Sequence, residues 1–189
     1  SQQSALYLDA LKQLRDAKLS YFCQCTRAQI KTRSGIYDGH CKSLDLPEAG
    51  NAIRYINQHN IDHYSDIIQG KIRIDSALAS EDCILFRKDG LFAYQLAVVV
   101  DDIYQNVSHI IRGCDLLEPS VRQLSLYATF GHQPPTLGHI PLAITNQGYK
   151  LSKQNKAPAI NKLTPQKVLI DALKFLGQNV DECLTDLSP

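Results

Sequence analysis

An excess of charge of either sign is the first thing this chain lacks: 20 Lys and Arg stand against 19 Asp and Glu, a net charge of +1 over 189 residues. A global cationic field is thereby excluded, and any contact with a polyanion must come from local patches. No apolar run approaches the roughly 20 residues of a membrane span, and no signal-peptide pattern opens these residues. Internal repeats and low-complexity linkers are absent as well, which leaves one domain, or one domain with a small insertion. A hydrophobic content of 44% with 21% charged residues fits a globular chain with a substantial core. The six cysteines do not form the evenly spread set of a secreted disulfide framework. Three crowd into positions 23 to 41, and Cys83, Cys114 and Cys183 stand alone. That distribution points to a metal site in a reducing compartment, so a cytoplasmic protein is expected; a monomer without a membrane partner is expected as well.

The pattern that is present alternates helices with strands. Leu6, Ala10, Leu14 and Ala17 recur at helical spacing over 4–18, with Ser4 as a possible cap. Tyr21 to Cys23 reads as a short strand, Thr26 as the cap of a brief helix, and the glycines at 35 and 39 mark a loop. Ile67 to Ile72 has the form of a hairpin with Gln69-Gly70 at its tip. Residues 93–104 are ambiguous, because Val98-Val99-Val100 favours a strand while the length favours a helix. A core strand over 107–112, a helix from Pro119 toward Gly131, a strand over 139–144 and a last helix from Thr164-Pro165 to Gly177 complete the series. Strands alternating with helices predict a layered α/β fold with a parallel sheet.

Three groups of residues could carry chemistry. Cys23, Cys25 and Cys41 supply three thiols within a short span, and zinc wants a fourth donor. His40 is the general choice, although it is adjacent to Cys41 and neighbours rarely aim at one metal. Arg112, at the expected carboxyl end of a core strand, could grip a carboxylate with two parallel hydrogen bonds, or pair with Asp115 or Glu118 at the surface. Gly148-Tyr-Lys-Leu-Ser-Lys-Gln154 lies in a stretch, 143–167, that holds five lysines and no acid. Such a loop suits a triphosphate, though charge runs are more often solvated surface. Six basic residues between Lys12 and Arg33 could form a phosphate-binding face for RNA or simply a solvated helix face.

Lys150-Leu-Ser-Lys-Gln154 resembles the lysine signature loop of class I aminoacyl-tRNA synthetases. Asp89 to Asp102, then Ile111-Arg-Gly-Cys-Asp-Leu-Leu117, resemble the glutamate branch of that class. Tyr21-Phe-Cys-Gln-Cys-Thr-Arg27, Gly35-Ile-Tyr-Asp-Gly-His-Cys41 and a chain ending soon after the lysine loop resemble its shortened, queuosine-directed members. The resemblance runs from about Ala5 to Gly177 and implies a Rossmann-like parallel sheet with helices on both faces and a small zinc-bearing insertion. It divides the chain into 1–22, the end of the first half of the nucleotide fold; 23–86, the zinc-binding, RNA-contacting insertion; 87–160, the second half with the lysine loop; and 161–189, a helical tail. The family's His-Ile-Gly-His-like signature has no counterpart here, so most but not all of a catalytic domain is expected.

The activity implied is ATP-dependent activation of glutamate, with Mg2+ accompanying ATP, and transfer of glutamate to queuosine at the wobble position of tRNA(Asp). Residue by residue, the resemblance assigns Lys153 to ATP, with Lys150 assisting catalysis, and Tyr94 and Arg112 to glutamate. It makes Tyr37, not His40, the partner of Cys23, Cys25 and Cys41 around one structural zinc. The alternatives are a truncated glutamyl-tRNA synthetase and a non-catalytic, zinc-stabilised RNA-binding module.

Overall fold

The computed structural model describes residues 3–145, 147–152 and 157–180. Tyr7, Ala10, Leu11 and Leu14 recur at helical spacing and turn one face of α1 (Ser4–Asp16) into the core. The buried stripe is rotated from the expected one: Ala17 is exposed, and Tyr7 and Leu11 take the contacts assigned to Leu6 and Ala17. Ser4 is the first helical residue and Gln3 the cap position, so the expected serine cap is not where the helix starts. Two residues are lost at the other end. Lys18 turns left-handed (φ 56), and Leu19 N donates to Leu14 O at 2.7 Å while Lys18 N donates to Arg15 O at 2.9 Å. This pair of bonds closes a helix, and here a lysine fills the place glycine usually takes.

The turn leads into β1 (Ser20–Cys23), which pairs antiparallel with β2 (Ala52–Tyr55); β5 (Ile84–Phe86) closes a three-stranded sheet in the order β1-β2-β5. Between β1 and β2, α2 (Arg27–Arg33) opens with a complete capping box between Thr26 and Gln29. The ambiguous segment is helix α4 (Tyr94–Tyr104), as the family resemblance implies, not a strand. Leu96 and Val99, three residues apart, are both fully buried, and that spacing outweighs the strand preference of the valines. Two phenols anchor the helix: Tyr7 OH donates to Asp101 at 2.7 Å, and Tyr127 OH to Asp102 at 2.9 Å. Asp101 and Asp102 are thus struts to α1 and to α5 (Ser120–Thr129). Ile53, Tyr55, Leu85, Leu96, Val99 and Leu126 meet in one core beneath these helices.

The second sheet runs β4-β3-β7-β6, from β4 (Gly70–Arg73), β3 (His63–Asp66), β7 (Thr136–Ile140) and β6 (His109–Gly113). β6, β7 and β3 are parallel and β4 is an antiparallel edge, so among the described residues the sheet is mixed. β3 and β4 lie within 23–86 in sequence and share this sheet with the later strands. The hairpin is displaced from the expected position. Asp66 Oδ1 accepts from Ile68 N at 2.9 Å and Gln69 N at 2.8 Å, so Ile67-Ile68-Gln69 form the turn and both isoleucines are exposed. β7 likewise starts at Thr136 and stops at Ile140, before Pro141, whose missing N–H cannot extend a ladder. The expected strand over 139–144 is therefore shifted toward the amino terminus, and the one over 107–112 begins two residues late. The short α3 (Ser76–Ala79) precedes β5; α6 (Pro165–Phe175) starts at Pro165 as expected, but among its residues only Ile170 is buried.

Candidate functional site

The cysteines converge. Cys23 at the end of β1, Cys25 just beyond it and Cys41 in the glycine-bearing loop place their three sulfurs within 4.8 Å of one another. Cys25 Sγ lies 3.5 Å from Cys41 Sγ. Tyr37 OH lies 3.6 Å from Cys23 Sγ and accepts from Cys41 N at 2.9 Å, so the phenol borders the same point. His40 is exposed, its ring outside the cluster. Burial pushes the Cys25 thiol up to about 12 and raises the Tyr37 phenol. For Cys41 burial works upward too, but hydrogen bonds from the Gln24 backbone and from Cys25 outweigh it and lower the thiol. Three sulfurs and a phenol at contact distance make a soft, potentially anionic set suited to a thiophilic divalent cation.

A buried arginine braces this cluster. Arg54 Nε donates to Cys23 Sγ at 3.2 Å, Nη1 donates to Asp82 O at 2.6 Å, and the guanidinium sits 3.5 Å over the Tyr37 ring. Tyr37 N donates to Glu81 at 3.0 Å, and Glu81 is ion-paired to Arg122 of α5, which ties the cysteine loop to the main core. On the basic face, Arg15 pairs with Glu48 at 3.0 Å and Arg33 with Asp38 at 3.3 Å, so part of that charge is spent within the fold.

The second constellation lies at the carboxyl ends of β6 and β7. Arg112, half-buried on β6, donates from Nε to His139 Nε2 at 3.1 Å and from Nη2 to Ser120 Oγ at 2.8 Å and Gln123 Oε1 at 2.7 Å. Since the guanidinium only donates, Gln123 must face it with oxygen; its Nε2 is a buried donor without a partner among the described residues. The hydrogen bonds of Arg112 to the described residues leave from Nε and Nη2. The site is therefore rich in donors, as a carboxylate ligand requires.

Three residues after Arg112, Asp115 accepts a hydrogen bond from Lys150, the first lysine of the signature loop. That bond, with the Arg112 charge nearby, holds the Asp115 carboxyl below its ordinary range. Gly113 makes room for it, because a Cβ there would stand 2.6 Å from Asp115 Oδ1. The bridge Ile144↔Lys150 turns the segment back on itself. Lys150 and Arg112 thus come to one edge of the sheet. Lys153, assigned to ATP, lies outside the described residues, as does Gln154. Tyr94, the other expected glutamate contact, begins α4, is 52% exposed and makes no hydrogen bond to Arg112.

Asp66, His139, Ser120, Gln123 and Arg54 carry much of this geometry, and none was singled out by the sequence. Asp66 and His139 are 73 positions apart, so no local spacing announces them.

The family described as tRNA synthetases class I (E and Q), catalytic domain, matches residues 1–177. A relative from Colwellia psychrerythraea, named glutamyl-Q tRNA(Asp) synthetase, is 56% identical over 183 residues, covering 94% of this chain and 58% of its own. One of the same name from Escherichia coli is 52% identical over 188 residues, covering 100% of this chain and 61% of its own. The chain thus spans about three fifths of the length of these relatives. Among solved structures, a glutamate tRNA ligase from Elizabethkingia meningosepticum in complex with its amino acid matches with a TM-score of 0.64 at 22% identity, over 81% of this chain and 36% of that one. That likeness establishes an α/β fold with a parallel-containing sheet of the synthetase kind. With the family match covering nearly the whole chain, it belongs to the class I aminoacyl-tRNA synthetases, in the catalytic-domain family of the glutamate and glutamine enzymes.

Proposed function

We propose that this chain carries most of the catalytic domain of an enzyme that activates glutamate with ATP and passes it to queuosine at the wobble position of tRNA(Asp). The observation that supports this most is the Lys150–Asp115 hydrogen bond, which draws the lysine loop to the strand end that bears Arg112. The preference for queuosine is taken from the names of the relatives.

In this scheme Arg112 holds the side-chain carboxylate of glutamate with the edge of its guanidinium that faces away from His139, and the Tyr94 hydroxyl adds a second contact. The substrate's α-carboxylate oxygen attacks the α-phosphorus of Mg2+-bound ATP; the new O–P bond forms as pyrophosphate leaves. Lys153, with Lys150, neutralises the charge that builds on the phosphates. Lys150 need not abandon Asp115, because an ammonium has three donors and can hold a carboxylate and a phosphate oxygen together. A queuosine hydroxyl then attacks the activated carbonyl, AMP leaves, and an ester remains.

We also propose one structural zinc held by Cys23, Cys25, Tyr37 and Cys41, pinning the 23–86 insertion that would contact RNA. When bound, the cation keeps the sulfurs and the phenol deprotonated against the effect of burial. Cytoplasmic location and a monomeric state complete the proposal.

The test uses the full-length protein. Glutamate-dependent exchange of pyrophosphate into ATP is expected, and labelled glutamate should appear on tRNA(Asp) that contains queuosine but not on tRNA(Asp) that lacks it. Arg112→Lys should raise the KM for glutamate about 10- to 100-fold, the worth of a charged hydrogen-bonded contact. Label on the RNA lacking queuosine would favour a truncated glutamyl-tRNA synthetase. No exchange at all would favour a non-catalytic RNA-binding module.

A further inference from the structure

A guanidinium nitrogen can only donate, so the ring nitrogen that faces Arg112 Nε at 3.1 Å must carry a lone pair. His139 Nε2 is therefore an acceptor. Its proton sits on Nδ1, where Asp66 Oδ2 accepts it at 2.6 Å. Both side chains are fully buried, so water offers no substitute partner to either. We infer that Asp66 is a positioning residue for Arg112: through the His139 ring it sets the tautomer that presents an acceptor to the guanidinium, and so fixes the direction in which Arg112 points.

The surroundings leave the carboxylate little freedom. Asp66 Oδ1 accepts from Ile68 N at 2.9 Å, Gln69 N at 2.8 Å and His139 N at 3.2 Å, so the turn after β3 and the strand β7 both clamp it. Gln69 Nε2 donates to His139 O at 2.7 Å and holds the histidine backbone from the same turn. On the far side of the guanidinium, Ser120 Oγ gives its proton to Leu116 O at 2.6 Å and so meets Arg112 Nη2 with a lone pair. His139 and Ser120 thus meet Arg112 as acceptors whose orientation is already fixed by Asp66 and by Leu116 O. Nε and Nη2 are locked inward, which turns Nη1 to the ligand side. The hydrogen-bond chain runs from a turn on β3, through β7, to β6, and none of its three charged or ring members is near another in sequence.

This inference rests on the assignment of Arg112 to a carboxylate substrate, and the experiment separates the two. Asp66→Asn keeps the shape and the Oδ1 acceptor but turns Oδ2 into a donor. Nδ1 must then accept, the ring proton moves to Nε2, and two donors face each other across the His139–Arg112 gap. In the full-length protein, nitrogen NMR is expected to show His139 protonated at Nδ1 in the wild type and at Nε2 in the variant. The Arg112 Nε–H should lose its protection from solvent exchange, and glutamate should bind about tenfold more weakly or worse, with ATP affinity changed less than about twofold. If the variant keeps the Nδ1 proton, or if Arg112 Nε–H stays protected, the inference is overturned. If the NMR changes occur but the wild type binds no glutamate, the positioning role stands and the substrate assignment falls.

Should Asp66→Asn fail to fold, the contrast at His139 decides instead. His139→Gln can place a carboxamide oxygen near Nε2 and is expected to keep glutamate binding within about threefold, whereas His139→Leu removes the acceptor and should lose about tenfold or more. Equal losses in these two variants would overturn the inference.

Discussion

Asp115 shows how a single carboxylate can report on the lysine loop. Its pKa is lowered chiefly by the hydrogen bond from Lys150, and the nearby Arg112 charge adds to this. The folded value is depressed, so the pair's stabilisation is present above the unfolded-state pKa and is lost as pH falls through the folded one. The carboxylate is largely solvated, so the effect belongs to the position of the loop more than to global stability. An NMR titration should place the Asp115 midpoint below 3.8, and Lys150→Ala should move it upward toward that value. An unchanged midpoint in the variant would mean that the loop does not rest on Asp115 in solution. Arg112 and Lys150 were singled out because motif and residue type pointed to them together, and the structure brings them to one strand end. Asp66 was not: an aspartate before Ile67-Ile68 reads as turn chemistry, which it also performs, and only the approach of β7 gives its second oxygen a histidine.

At the scale of elements, α4 is the instructive case. Its valine run favours a strand locally, yet Leu96 and Val99 fall on one face and fill the space between α1, α5 and the β1-β2-β5 sheet. Leu96→Ala should cost about 2–5 kcal/mol in denaturant unfolding, the range for emptying a fully buried leucine site. A loss below about 1 kcal/mol would mean that the helix is not seated as described. The displaced strands have a comparable cause. The hairpin and β7 were expected where apolar residues cluster, but Ile67 and Ile68 are exposed, and Pro141 ends the strand that His139 was expected to begin. Hydrophobicity marked the neighbourhood; backbone hydrogen bonding set the register. The periodicity of α6 was plain in the sequence, whereas its packing was not, since Leu169 and Phe175 on that helix remain exposed.

Among the described residues the whole molecule shows two cores. The larger joins α1, β2, β5, α4 and α5; the smaller is Cys23, Tyr37 and Cys41, with Tyr21, Cys25, Ile30 and Leu46 packed around them. The smaller holds too few apolar groups to order its loop strongly, which is where a bound cation would contribute most. About one zinc per chain is expected by elemental analysis of the full-length protein, and a chelator should lower its Tm. Less than about half a zinc per chain would remove the four-ligand proposal. Cys41→Ser should abolish both the zinc content and the chelator effect, since one of the three close sulfurs is gone.

Short-range patterns were enough to indicate a layered α/β chain, a helix cap at Thr26, three thiols within a short span and a lysine-rich signature stretch, because each is read from residues close together in sequence. Tertiary structure alone decided that the parallel strands sit in a mixed sheet, that Lys150 reaches Asp115, and that a buried carboxylate and imidazole stand behind Arg112. Those contacts join segments far apart in the chain. Their partners become recognisable only when strand pairing brings β3, β7 and β6 side by side.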